Sequence, residues 1–313
     1  MSFAQRLAEE VVRKANAVCV GIDPRFEQLP DCLRTAVAIN DLAGRARAYE
    51  TFGKAIIDIV APLVPVVKPQ AAFFEQLGPH GMVALGNVIQ HAVQRGVVVI
   101  LDGKRNDIGT TAEAYAEAYL GRGDQSAWGS DALTVSPYLG HDSLEPFVKV
   151  SIARQAGIFV LVKTSNPGSG YLQDQLVGSG PERGTVYQHI ADLVEKMNAP
   201  CLAPCGLGPI GAVVGATYPE QLAELRLRMN SSWILIPGYG AQGGTAKDVA
   251  LGFRHDGLGA LVNSSRGIIF AHSLSRYHAV ASWEAAVEQA TRDMIAELAA
   301  FTAKPHLAPS FMG

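Results

Sequence analysis

The 313-residue chain has little of several features that mark large protein classes. It has four cysteines, a formal net charge of only -3, and no apolar run near the ~18 residues that a membrane-spanning helix needs. Because the chain has neither an excess of basic residues nor a long apolar run, we expect no nucleic-acid partner and no membrane partner. The N-terminal segment has acidic residues at amphipathic helical spacing, unlike a secretory signal. We therefore expect a cytoplasmic protein that acts on small molecules.

The cysteines and the eight histidines also lack the spacing of metal sites. Cys201 and Cys205 have no second pair and no nearby histidine at zinc-site spacing, and Cys19 lies within an apolar segment. No histidine falls in a His-x-x-x-His or Glu-x-x-His pattern. A Gly-Lys-Ser/Thr phosphate loop and a dinucleotide fingerprint after the first strand are also missing. We expect no metal site and no bound dinucleotide.

Eight short apolar segments are each followed by sequence of helical character. This alternation favours the α/β class and a (β/α)8 TIM barrel, whereas a doubly wound sheet would more often split into two halves. The length suits one domain over residues 1–313. The predicted strands are Ala17–Asp23, Leu63–Pro69, Val97–Leu101, Ala132–Ser136, Gly157–Ser165, Ala212–Thr217, Trp233–Pro237 and Gly259–Asn263.

Two connections between the predicted elements are unusually long. Residues 24–42 follow the first strand, and residues 166–184, rich in Gly, Ser and Pro, follow the fifth. Connections of this length often line a site or an interface. The second could be a mobile lid or a plain disordered surface loop, because its composition fits both.

Charged residues gather where the second and third predicted strands end. Asp102 and Lys104 are two residues apart, so in an extended backbone both side chains point to the same side. Asp107 follows in the next turn, and Lys68 ends the second strand. An Asp–Lys pair near a strand end is often only a solvated salt bridge, but parallel sheets bind ligands at these ends. The pattern predicts a catalytic cluster in which Lys104, among carboxylates, stays protonated and donates a proton.

Glycines and an arginine follow the last two predicted strands. Gly238, Gly240, Gly243 and Gly244 let backbone N–H groups approach an anion, and Arg266 offers a bidentate guanidinium. In barrels, the loops after the seventh and eighth strands commonly bind phosphate. The residues alone therefore predict a barrel enzyme that acts on a phosphorylated metabolite.

These segments resemble the orotidine 5'-phosphate decarboxylases, in the longer bacterial branch of that family. The stretch Leu101–Thr111, Leu-Asp-Gly-Lys-Arg-Asn-Asp-Ile-Gly-Thr-Thr, is similar to the family's Asp-x-Lys-x-x-Asp signature. Support comes from Gly21–Pro24, Lys68–Glu75, Pro237–Gly244 and Arg266, so the resemblance covers nearly the whole chain. It implies a cofactor-independent carboxy-lyase that makes uridine 5'-phosphate and carbon dioxide in pyrimidine biosynthesis.

The resemblance also implies roles for individual residues. Lys68, Asp102, Lys104 and Asp107 would form the family's alternating Lys-Asp-Lys-Asp array, with Lys104 delivering the proton to a C6 carbanion. Family members are homodimers with shared active sites, so Asp107 and Thr111 would enter the partner subunit's site. The implied substrate contacts are Asp23 and Lys68 with the ribose hydroxyls, Ser165 with the pyrimidine, and Gln242 and Arg266 with the phosphate, beside which Pro237 packs.

Two alternatives keep the barrel and change the chemistry. The sugar-phosphate branch of the same superfamily shares the Asp-x-Lys-x-x-Asp strand but holds an enediolate with magnesium. Its acidic metal ligand would stand where this chain has Lys68, whose charge would repel the ion. A non-catalytic phosphate-binding barrel would be expected to lack one of the four charged residues, and all four are present.

Overall fold

Eight parallel strands close into a barrel in the computed structural model, which describes residues 1–38, 40–240 and 243–307. The strands, including a short hairpin, are β1 (Val18–Ile22), β2 (Val66–Pro69), β3 (Val98–Arg105), β4 (Ala132–Val135), β5 (Gly157–Lys163), β6 (Leu176–Val177), β7 (Gly184–Thr185), β8 (Ile210–Val214), β9 (Ile234–Ile236) and β10 (Ala260–Ser264). Around the barrel the order is β1-β2-β3-β4-β5-β8-β9-β10, and β10 pairs with β1. The antiparallel hairpin of β6 and β7 lies outside it. The predicted (β/α)8 barrel is confirmed.

Helices precede the first barrel strand, connect the strands and follow the last strand. They are α1 (Phe3–Lys14), α2 (Asp31–Arg34), α3 (Leu42–Val60), α4 (Ala71–Glu75), α5 (Gly78–Gln94), α6 (Gly109–Tyr119), α7 (His141–Ala153), α8 (Gly170–Gln173), α9 (Val186–Asn198), α10 (Pro219–Arg228), α11 (Ala246–Ala250), α12 (Arg266–Ile269) and α13 (Trp283–Ala299). None of the helices in the described ranges is long and apolar enough to cross a bilayer.

Backbone pairing places the element boundaries within a few residues of the predictions. The largest strand shift is in β3, predicted to end at Leu101 and found to reach Arg105. β8, predicted over Ala212–Thr217, is found over Ile210–Val214 and begins earlier because Ile210 pairs with Ile158 of β5. The apolar pattern cannot locate this start, since the residues on both sides are also small or apolar. Ser282 caps α13 as predicted, accepting a hydrogen bond of 3.2 Å from the Ala285 N–H.

The N-terminal end of the barrel is closed by α1. The Phe3 ring packs edge-on against Phe159 inside the barrel, with ring centres 6.2 Å apart. Gly157 and Gly211 leave room for these rings: a Cβ on Gly157 would lie 2.3 Å from the Phe3 ring, and one on Gly211 would lie 2.6 Å from the Phe159 ring. With this end filled by side chains, the opposite end, where the strands finish, is left for ligands.

Both long connections contain secondary structure. The connection after β1 includes α2, and the connection after β5 includes α8 and the β6–β7 hairpin. We call residues 166–184 the β5 loop. It ends at Thr185, whose side chain accepts a hydrogen bond from the Gln188 N–H and begins α9 with a capping box. The β5 loop therefore contains a short helix and part of a short hairpin.

Candidate active site

A cavity of about 570 Å³ opens where the barrel strands end, and we call it the strand-end cavity. This size falls in the range of small-molecule sites. All eight barrel strands, or the residues directly after them, contribute to its lining. Seven of the predicted site residues line it: Asp23, Lys68, Asp102, Lys104, Ser165, Pro237 and Arg266.

Asp102 lies between two ammonium groups at the floor of the cavity. Its Oδ2 is 2.7 Å from Lys68 Nζ, and its Oδ1 is 2.6 Å from Lys104 Nζ. Lys68 and Asp102 are buried, with 4% and 8% of their surface exposed, whereas 48% of the Lys104 side chain is exposed. A ligand in the cavity can therefore reach the Lys104 ammonium, which is held by the buried Asp102 carboxylate and, through it, by Lys68.

Burial and charge act in opposite directions on the protonation of this array. Burial is the largest single cause and disfavours the charged forms of Lys68 and Asp102, but the attractions and hydrogen bonds within the array together outweigh it. The carboxylates of Asp102 and Asp23 raise the pKa of Lys68 above its ordinary value. The ammonium groups of Lys68 and Lys104 lower the pKa of Asp102. At neutral pH Asp102 is a carboxylate and Lys68 an ammonium.

The Lys104 backbone has an unusual conformation. Its φ is 44°, in the left-handed region that costs a non-glycine residue about 1–2 kcal/mol. Leu101 pairs with Leu133 and Arg105 with Val135, so three residues of β3 stand opposite one residue of β4 in a bulge. The side chains of Asp102 and Lys104 do meet, as their spacing predicted. They meet through this bulge and not through regular strand alternation.

Asp107 and Thr111 lie away from the cavity of their own chain. The Asp107 carboxylate accepts a hydrogen bond of 2.8 Å from the Ile108 N–H, in the turn before α6. Ile108 is 58% exposed, and Thr111 is exposed on the first turn of α6. Neither Asp107 nor Thr111 lines the strand-end cavity formed by the described residues. The half-buried Asp107 and the exposed Ile108 and Thr111 instead form a surface beside the bulge.

The glycine-rich segment and Arg266 lie together at one side of the cavity. Gly238, Gly240 and Gly243 have φ values of 98°, 67° and 96°, conformations that side-chain-bearing residues rarely adopt. Arg266 begins α12 directly after β10, and its side chain lines the cavity. Gln242, predicted to bind phosphate, lies outside the described residues.

Two glycines allow segments of the site to approach one another closely. A Cβ on Gly21 of β1 would lie 2.8 Å from Ser265 Cβ, so glycine lets the end of β10 come close to β1. A Cβ on Gly215 would lie 2.8 Å from the Cα of Ser165. These two contacts bring Ser165 and the segment before Arg266 to the rim of the cavity.

A second cavity of about 880 Å³ adjoins the first and shares Tyr239 and Arg266 with it. Its other walls include apolar residues of α12 and α13, such as Ile268 and Met294. It lacks the Lys68–Asp102–Lys104 array, which lines the smaller cavity. The smaller, charged cavity is therefore the candidate active site.

Several cavity residues escaped the sequence analysis, among them Arg25, Gln70, Thr134, Gln173 and Asn263. Thr134 and Asn263 are buried polar residues in otherwise apolar strands, and the sequence does not show whether such a side chain points into the barrel. Gln173 comes from the β5 loop, whose fold was not predicted. Its side chain accepts a 3.0 Å hydrogen bond from the Thr164 N–H and donates a 2.8 Å bond to the Thr164 hydroxyl.

The chain is similar over most of its length to proteins of one family. The sequence model of the orotidine 5'-phosphate decarboxylase / HUMPS family matches residues 16–276. The orotidine 5'-phosphate decarboxylase of Rhodopirellula baltica is 58% identical over 303 residues, covering 95% of this chain and 99% of that protein. The solved structure of Leishmania donovani OMP decarboxylase is 34% identical, with a TM-score of 0.73 and coverage of 96% and 98%. This similarity and the geometry of the site agree, and the chain belongs to the orotidine 5'-phosphate decarboxylase / HUMPS family.

Proposed function

We propose that this chain is a carboxy-lyase that converts orotidine 5'-phosphate to uridine 5'-phosphate and carbon dioxide, in pyrimidine biosynthesis in the cytoplasm. The observation that carries the proposal is the Lys68–Asp102–Lys104 array on the floor of the strand-end cavity. Orotidine 5'-phosphate decarboxylase is also the name of relatives that match nearly the whole chain. The array supplies a fixed, accessible ammonium, the group that this reaction needs.

The substrate is held by contacts remote from the reacting carbon. Arg266 and the glycine-rich segment after β9 bind the phosphate, and Asp23 and Lys68 bind the ribose hydroxyls. Asp23 Oδ1 is buried and has no hydrogen-bond partner among the residues that the structure describes, as expected of an acceptor reserved for a ligand. Ser165 contacts the pyrimidine from the rim below the β5 loop.

Decarboxylation breaks the bond between C6 and the carboxylate and leaves the electron pair on C6. The Lys104 ammonium stabilises this developing charge and then transfers a proton to C6, which completes uridine 5'-phosphate. The neutral amine of Lys104 regains its proton from water. Asp102 lies beside the leaving carboxylate and repels it in the ground state. This sequence of steps requires no metal and no organic cofactor.

We further propose a homodimer with shared active sites. Asp107 follows Lys104 by three residues but lies outside the cavity of its own chain, and Thr111 lies on the same surface. A second subunit placed on this surface would receive both side chains in its cavity. Each site would then contain the complete array of four charged residues.

The test follows the ultraviolet absorbance of orotidine 5'-phosphate mixed with the purified protein in excess EDTA. Conversion to uridine 5'-phosphate is expected to continue in the chelator. No conversion by folded protein, with activity on a sugar phosphate when magnesium is restored, would instead favour the enediolate branch of the superfamily.

Two variants separate catalysis from binding in the same assay. Lys104→Ala is expected to abolish turnover and to leave uridine 5'-phosphate binding largely intact, because it removes the proton donor alone. Lys149→Ala is the matched control, since this lysine side chain is 79% exposed on α7. Substantial remaining turnover in Lys104→Ala would remove the proton-donor role.

A further inference from the structure

We propose that Thr134 is a positioning residue that holds the Lys104 backbone and the Asp102 carboxylate in one fixed arrangement. The inference rests on the proposed function, in which the Lys104 ammonium acts on the substrate. Thr134 is the third residue of β4, is 1% exposed and lines the strand-end cavity. It belongs to the strand that faces the β3 bulge.

The Thr134 hydroxyl connects two parts of the array. Its Oγ1 accepts a 2.9 Å hydrogen bond from the Lys104 N–H and donates a 3.0 Å hydrogen bond to Asp102 Oδ1. A hydroxyl has only one hydrogen. Because the Asp102 carboxylate can only accept, the hydrogen of Thr134 is directed to it, while the same oxygen accepts from the Lys104 N–H. Thr134 thus joins the backbone of the proton donor to the group that holds its side chain.

The bulge creates the need for this contact. Three residues of β3 stand opposite Thr134, so regular strand pairing cannot take up the Lys104 N–H. The left-handed φ of Lys104 is disfavoured for lysine and persists only where the surroundings hold it. The Thr134 hydroxyl takes the place of the missing backbone acceptor. Arg105 supports the same turn by donating a 2.9 Å hydrogen bond to the Gly103 carbonyl.

Loss of the hydroxyl should therefore affect the chemical step more than binding. Without it, Lys104 can leave the left-handed conformation and Asp102 loses one of its three donors. Both changes displace the Lys104 ammonium from the reacting carbon, and small displacements of a catalytic group lower rates strongly. The phosphate contacts at Arg266 lie on other strands and should be unaffected.

The experiment compares Thr134→Val, which keeps the shape but loses the hydroxyl, with Thr134→Ser, which keeps the hydroxyl. Thr134→Val should lower kcat about 10- to 100-fold with KM changed less than about 2-fold. Thr134→Ser should retain most of kcat. The control is Thr291→Val, the same change at a buried threonine whose hydroxyl donates a 2.8 Å hydrogen bond to the Val287 carbonyl within α13.

A crystal structure of each Thr134 variant gives a readout independent of turnover. Thr134→Val should show Lys104 outside the left-handed region and its ammonium moved away from Asp102, whereas Thr134→Ser should match the parent. Wild-type kcat in Thr134→Val, or an unchanged Lys104 geometry, would overturn the positioning role. If the parent protein itself fails to decarboxylate orotidine 5'-phosphate, the proposed function fails, while the crystal structures still decide the role of Thr134.

Discussion

The Asp102 carboxylate accepts hydrogen bonds from Lys68, Lys104 and Thr134, and these contacts keep it charged inside the barrel. Removing one partner of a buried ion pair leaves an uncompensated charge, at a typical cost of about 3–5 kcal/mol. Changes at Asp102 or Lys68 therefore disturb folding as well as catalysis. Lys104 is the exposed member of the array, so its substitution reports on chemistry more directly.

The pH dependence of stability follows from the pKa shifts of the buried pair. The lowered pKa of Asp102 gives stability that is present above its unfolded value of about 3.9 and is lost as the pH falls further. The raised pKa of Lys68 gives stability that is complete below about 10.4 and is lost as the pH rises through its folded pKa. Between these limits the pair stays charged, so its contribution is constant.

We predict that the free energy of unfolding, measured with urea from pH 3 to 9, falls more steeply below about pH 4 in the parent than in Asp102→Asn. The variant has no carboxylate at this position to protonate. Its stability should be lower than that of the parent at pH 7, because Lys68 loses its partner at 2.7 Å. Equal acid dependence in the two proteins would contradict a lowered pKa for Asp102.

Arg266 should supply much of the affinity for the phosphate. Arg266→Ala is expected to weaken binding of uridine 5'-phosphate by roughly 2–3 kcal/mol, the loss of a charge-assisted pair, as measured by calorimetry. Arg292→Ala is the control, because this arginine pairs with Glu288 on the surface of α13. Equal affinity in parent and Arg266→Ala would place the phosphate elsewhere.

The β5 loop is attached to the barrel through an ion pair whose lysine is buried and whose aspartate is partly exposed. Lys163, the last residue of β5, is fully buried, and its Nζ lies 2.6 Å from Asp174 Oδ1, just after α8. The ammonium also lies 4.6 Å from the centre of the Tyr218 ring. The neighbouring Gln173 bonds to Thr164, next to Ser165. Together these contacts hold the β5 loop at the rim where the pyrimidine is proposed to bind.

We predict that Asp174→Ala raises KM for orotidine 5'-phosphate about 10-fold and makes the β5 loop sensitive to limited proteolysis. In the variant, a docked β5 loop would cover the Lys163 ammonium without its partner. Because Asp174 is partly exposed, the effect should be smaller than for a fully buried ion pair. Asp192→Ala is the control, since Asp192 forms an exposed pair with Arg228.

A second change distinguishes the ion pair from a general effect of Asp174. In the background Lys163→Met, which removes the buried charge, Asp174→Ala should change KM much less than in the parent. Equal effects of Asp174→Ala in both backgrounds would show that Lys163 does not hold the β5 loop.

At the scale of the whole molecule, the barrel has one closed and one open end. Side chains of α1 fill the N-terminal end, so the ligand site lies at the end where the strands finish. The surface of Asp107 and Thr111 lies near this end but outside the cavity. A complete site is therefore expected only when two subunits associate.

Subunit mixing tests this arrangement. Lys104→Ala and Asp107→Asn proteins, each inactive alone, should recover up to about a quarter of the parent activity when mixed and allowed to exchange. Half of the randomly formed dimers would be mixed, and one of their two sites would be unaltered at both positions. The pair Lys104→Ala and Asp102→Asn is the control. It should not recover activity, because one subunit supplies both residues to a given site and each site of a mixed dimer therefore carries one of the two changes. Proven exchange without recovery in the first pair would contradict shared sites.

Much of the fold and part of the site could be predicted because their signals are local. A strand buried on both faces is a short apolar run, so the eight barrel strands were visible despite shifts such as that of β8. Arg25, Thr134 and Asn263 were missed, since a single polar residue does not reveal which way it points. Strand tilt and the β3 bulge decide that direction.

The barrel, the charged strand ends around Asp102, the glycines after β9 and the arginine after β10 could all be predicted, because apolar runs and motif spacing encode them directly. The hydrogen bond from the Lys104 N–H to Thr134 and the position of Asp107 outside the cavity of its own chain could not be predicted, because both depend on how the strands are arranged in space. The Lys68–Asp102 and Thr134–Asp102 contacts join residues 34 and 32 positions apart. Such contacts exist only after the barrel has closed and brought different strands together.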